Sequence, residues 1–101
     1  MKHPVVFNPE ARTDLLNLYI YIAEHGGESR ALGYIERIEE ACRSLQTFPL
    51  RGESWDSVRP GMRVLGFERR VSIVFQINPE AVVIFRILYG GRDLSRIRGE
   101  K

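Results

Sequence analysis

The sequence predicts an α+β fold: an N-terminal strand and a helix hairpin packed on an antiparallel sheet that three C-terminal strands complete. Three observations carry this. Apolar residues recur every three to four positions on both sides of Gly26-Gly27, as two amphipathic helices would require. From Met62 onward the pattern changes to three strand-like runs, one of them strictly alternating. The length of 101 residues, 44% of them hydrophobic and 28% charged, suits one domain spanning 1–101 with one core.

The elements follow in order. Val5, Val6 and Phe7 form a short apolar run that stops at Asn8-Pro9, where Asn offers a side-chain cap and Pro is pre-set for the first helical position. Ala11, Leu15, Leu18 and Ile22 then recur at spacings of four, three and four, on one helical face. Leu16, Tyr19 and Ile20 widen that face, so this helix is expected to meet both a sheet and a second helix. Tyr19 and Tyr21, two apart, cannot share a face, and one of them should be exposed or covered by a partner.

Gly26-Gly27 ends the first helix and Ser29 is placed to cap the second. Ala31, Tyr34/Ile35, Ile38, Ala41/Cys42 and Leu45 give its apolar stripe up to Phe48-Pro49, and Glu36, Arg37, Glu39, Glu40 and Arg43 give a solvated face. Gly33 costs roughly 1 kcal/mol relative to Ala inside a helix, which marks a candidate close helix contact. Residues 48–61 carry Pro49, Gly52, Pro60 and Gly61 and read as a long loop, with Trp55 either a contact anchor or a lid packed on the core. Strands are expected over Met62–Phe67, Arg70–Ile77 and Val82–Tyr89, with Asn78-Pro79-Glu80-Ala81 turning between the last two. The last strand is apolar on both faces apart from Arg86, as befits a central strand covered on two sides.

Composition removes several function classes. A single cysteine, Cys42, excludes an internal disulfide and a thiolate zinc cluster, and His3 and His25 stand in no ligand spacing, so no metal and no cofactor are expected. Charged residues interrupt the first twenty positions, so no signal peptide, membrane span or membrane contact is expected and the cytoplasm is the default location. No Gly-x-Ser-x-Gly elbow or GKS/GKT phosphate loop is present. The net charge of +2 is uneven: residues 1–50 carry five basic and seven acidic side chains, and residues 51–101 ten basic and six acidic.

Arg63, Arg69, Arg70, Arg86, Tyr89 and Arg92 lie on or beside the late strands and would attract a polyanion if they converged on one sheet face. A metal-free RNA cleavage could then use Arg63 and Arg86 on the phosphorane charge and Tyr89 for proton transfer, although no base is evident. Alternatively Arg86 is paired internally, with Asp56, Glu68 or Asp93 the candidates.

The segments FNPEARTDLLNLYIYIAE at 7–24, YIERIEEACRSLQTFPLRG at 34–52, RPGMRVLGFERRVSIVF at 59–75 and VVIFRILYGGRDL at 82–94, in that order, resemble ParE-type toxins of the RelE/ParE superfamily. The resemblance implies the toxin of a type II toxin–antitoxin module, neutralised by a ParD-like ribbon-helix-helix antitoxin, with operator DNA bound only indirectly through that antitoxin. It implies DNA gyrase as the target and a block of replication. The alternative is a ribosome-dependent mRNA endonuclease of RelE type, for which Arg63, Arg86 and Tyr89 match the strand positions of phosphate-binding and terminal aromatic groups, while LRGESWDSVRPG stands in place of RelE's lysine-rich loop. Resemblance to ParE points to Arg92, Asp93, Leu94, Arg96 and Ile97 for target binding. The hairpin carries more apolar surface than one sheet buries, so Leu16, Tyr19, Ile20 and Tyr34 are expected to receive the antitoxin.

Overall fold

The structure is a computed structural model that describes residues 3–90. The elements run β1 (Val5–Phe7), α1 (Pro9–Gly26), α2 (Glu28–Arg43), a 3-10 turn (Ser44–Gln46), β2 (Glu53–Ser54), β3 (Met62–Phe67), β4 (Val71–Ile77) and β5 (Val82–Tyr89). One five-stranded sheet forms in the order β1-β5-β4-β3-β2. The C-terminal strands pair antiparallel, as expected, and β1 joins β5 in parallel, which makes the sheet mixed. The helix hairpin lies on one face, with α1 packed against both α2 and β5.

The apolar stripes become the core. Ala11, Leu15 and Leu18 of α1 and Ile35, Ile38 and Cys42 of α2 pack with Leu45 on Val71, Ile73, Phe75, Val82, Ile84 and Ile87 of the sheet. A smaller cluster covers the opposite face, where Trp55 packs with Met62, Val64, Val74, Leu88 and Phe85. Trp55 is 5% exposed, so it is a lid on the core. Strand β5 is thus covered on both faces, which its two-sided apolar pattern requires.

Local chemistry differs from the sequence reading at four points. Asn8 makes no side-chain cap; its backbone N–H donates to the Ile84 carbonyl and its own carbonyl accepts from Arg12, so β1 passes straight into α1. Ser29 lies inside α2, because Gly27, at φ +95°, closes α1 through its N–H to Ala23 and opens α2 through its carbonyl to Ala31. Gly33 makes no close helix contact, since a Cβ there would meet only Arg37 Nη1 at 3.9 Å. Arg70 belongs to the β3–β4 turn, where Glu68 and Arg69 take left-handed φ values of 48° and 67°. The Asn78 turn forms as expected, with Asn78 Oδ1 accepting from the N–H groups of Glu80 and Ala81. Strand β2 is only two residues long and carries no periodic signal.

The sheet edge has a further irregularity. Strand β1 covers β5 only over Val82–Ile84, and a bulge interrupts β5 opposite Val74/Phe75. Beyond Phe7 the chain has turned into α1, so the outer edge of β5 needs another hydrogen-bonding partner there. Asp14 of α1 supplies it: its carboxylate accepts the Ile87 N–H at 2.9 Å.

Candidate functional site

The candidate trio on the late strands is drawn apart. Arg63, on β3, turns its guanidinium to the carbonyls of Leu50, Arg51 and Gly52 and so pins the loop that leads into β2. Arg86, two strands away on β5, forms a fork with Asp14, Nε to Oδ2 at 2.8 Å and Nη2 to Oδ1 at 3.0 Å. Tyr89, at the end of β5, has its ring 6.1 Å from that of Tyr21 on α1. These geometries direct the three side chains to different places and not to one phosphate. Among the described residues Arg86 pairs with Asp14, whereas Glu68 serves Arg37 and Asp56 accepts the Gly61 N–H.

The four residues expected to receive an antitoxin divide into two settings. Leu16 and Ile20, four apart on α1, stand 58% and 44% exposed, so this ridge of the hairpin is open. Tyr19 and Tyr34 are half-buried and pack their rings against the main core. Tyr21 is the exposed member of the Tyr19/Tyr21 pair, and His25 stacks on it at 4.2 Å while its Nδ1 lies 2.7 Å from the Tyr21 carbonyl.

Tyr34 also lines a groove of about 780 Å³ between the start of α2 and the β3–β4 turn, together with Ile22, Arg30, Arg37, Glu68, Arg70 and Tyr89. Arg37 grips Glu68 by two bonds, Nε to Oε2 at 3.0 Å and Nη2 to Oε1 at 3.2 Å, and its guanidinium lies 5.3 Å from the Tyr34 ring centre. The Arg37 hydrogen bond pulls the Glu68 carboxyl below its usual range and Glu68 raises Arg37 in return. Burial raises the Tyr34 phenol, with the Glu68 charge adding to it, so its hydroxyl stays protonated.

Sequence reasoning missed two parts of this arrangement. Asp14 falls three residues after Ala11 and one before Leu15, so it sits on the apolar stripe of α1; a charge in that position was the available signal. Glu68 and Arg37 are 31 residues apart, and only the fold brings them together. Arg92, Asp93, Leu94, Arg96 and Ile97 lie outside the described residues, as does Asp93 as a partner for Arg86. Among the described residues no three His, Cys, Asp or Glu side chains gather as a metal site, and no helix is long and apolar enough to cross a membrane.

Comparison with known proteins gives concordant results. The family described as ParE toxin of type II toxin-antitoxin system, parDE, matches residues 5–94. Toxin ParE3 of Caulobacter vibrioides is 32% identical over 88 residues, which is 87% of each chain. A solved structure of the chromosomal ParDE toxin–antitoxin system from P. aeruginosa superposes with a TM-score of 0.77 at 27% identity, covering 88% of this chain and 97% of the other.

Proposed function

The chain belongs to the ParE toxin family of type II toxin–antitoxin systems, and from that premise we propose that it blocks replication by inhibiting DNA gyrase. Its partner within the module is a ParD antitoxin. The observation that carries the target assignment is the near full-length match to ParE, and the internal engagement of Arg63 and Arg86 supports it. Two arginines committed to holding a loop and a sheet edge are poorly placed to stabilise a pentavalent phosphate in an RNA cleavage. The reading therefore makes the protein a binding poison that acts on gyrase bound to cleaved DNA. Arg92, Asp93, Leu94, Arg96 and Ile97 are its proposed target-binding residues. Operator DNA is reached only through the antitoxin.

The test is to incubate antitoxin-free protein with gyrase, ATP and supercoiled plasmid, then to quantify linear DNA after detergent and protease. Linear DNA should rise with dose. A folded, antitoxin-binding protein that produces none overturns the assignment and makes ribosome-bound mRNA the next substrate to examine.

Antitoxin docking is assigned to the hairpin, on Leu16, Tyr19, Ile20 and Tyr34. The open ridge of Leu16 and Ile20 supports this, because an amphipathic partner helix would bury both. Ile20→Asp puts a charge on that ridge without disturbing the core, and antitoxin affinity should fall about tenfold or more. Unchanged affinity in a titration calorimeter would remove the ridge from the interface.

A further inference from the structure

The groove between α2 and the β3–β4 turn is not explained by the core or by the sheet. Three arginines, Arg30, Arg37 and Arg70, share its walls with one carboxylate, Glu68. Arg37 is engaged by Glu68, while neither the Arg30 nor the Arg70 guanidinium makes a hydrogen bond or ion pair among the described residues. Among the described residues that line it, the groove thus carries more positive than negative charge, next to a fork that already accommodates a carboxylate.

Resting on the reading of this chain as an antitoxin-neutralised toxin, we infer that the groove seats an acidic segment of the ParD antitoxin, with one carboxylate replacing Glu68 on Arg37 and another bound by Arg30 and Arg70. Side-chain exposures of 55% for Arg37 and 43% for Glu68 make their pair an exposed one, which exchanges its partner at little cost. Glu68 is a local stand-in for the incoming group. It is held there by a turn whose residues, Glu68 and Arg69, both adopt left-handed backbone, a conformation that side-chain-bearing residues rarely take.

The lining favours a peptide over a nucleic acid. Ile22, Tyr34 and Tyr89 give the groove an apolar floor for side chains between the acidic ones. The Tyr34 ring already has the Arg37 guanidinium 5.3 Å from its centre and the tilted Phe67 ring at 6.1 Å, neighbours that compete with a stacking base. The groove also draws on α1 and α2 together, through Ile22 and Tyr34.

The experiment is titration calorimetry of the full-length toxin with its cognate full-length antitoxin at low and moderate salt. Arg30→Glu combined with Arg70→Glu should weaken binding about 10- to 100-fold at low salt and flatten its salt dependence. Glu68→Gln, which removes the competing carboxylate, should tighten binding severalfold. Lysines in place of the acidic residues of the antitoxin segment should restore affinity to the doubly reversed toxin. Wild-type affinity and salt dependence in the double variant overturn the proposal, and so does a weakened double variant that the lysine-bearing antitoxin fails to rescue. Should the double variant not fold, Glu68→Gln decides: unaltered or weaker binding overturns it. Failure of the unmodified toxin to bind its antitoxin would instead overturn the underlying reading of the protein.

Discussion

Asp14 holds three donors at once: Nε and Nη2 of Arg86 and the backbone N–H of Ile87. The contact joins residues 72 and 73 positions apart and closes the stretch of β5 that β1 does not reach. With side-chain exposures of 14% and 33%, the Asp14–Arg86 pair is only partly screened by water, so losing the carboxylate removes a charged partner from Arg86 and leaves the Ile87 edge N–H unmet. Asp14→Ala should therefore lower stability by about 2 kcal/mol, read from the midpoint of urea unfolding. A change below about 0.5 kcal/mol would place this carboxylate among ordinary surface groups. The residue was half visible in the sequence. Its position on the apolar stripe of α1 was a signal that the sequence reading left unused, and its partner, 72 positions away, is brought to it only by the fold.

The elements were legible where periodicity is strong. Strands β3 and β5 begin and end where alternation and turn residues place them, and β4 starts one residue later than expected because Arg70 is needed for the turn. Strand β2 was not legible, since two residues have no period, and what fixes it is the remote pinning of its loop by Arg63. Glycines illustrate the same division between local and distant causes. At Gly61, φ is +81° and a Cβ would lie 2.6 Å from the Ile77 carbonyl oxygen, which itself borders the Ile77 N–H bond to the Gly61 carbonyl. Gly61→Ala should destabilise the domain by about 2 kcal/mol. At Gly33 the helix is regular and the space open, so Gly33→Ala should stabilise it by about 0.5–1 kcal/mol. Opposite signs in parallel thermal melts check both statements. Equal shifts would mean that neither backbone strain nor open space governs these positions.

The molecule as a whole has its thiol in the main core. Cys42 is fully buried, and burial, with the Glu39 charge adding and Arg43 opposing, pushes its pKa from 9.0 up to about 12. The folded state keeps the neutral thiol while the unfolded chain ionises near 9, so this group's contribution to stability is intact below pH 9 and is lost progressively as pH rises toward 12. At pH 8 the thiol should react with a disulfide reagent only when the core opens, at a rate that rises with denaturant in step with global unfolding. Immediate reaction of the native protein would contradict its burial. One more consequence follows from the parallel pairing of β1 with β5. The strand at residue 5 has its partner at residue 82, so β1 can join the sheet only after β5 has been made. During synthesis, at about 5–20 residues per second, β2, β3 and β4 are therefore all made before β1 gains its partner. Any cut of the chain before residue 82 therefore leaves the first strand with no neighbour to pair with, however well the helix hairpin has formed.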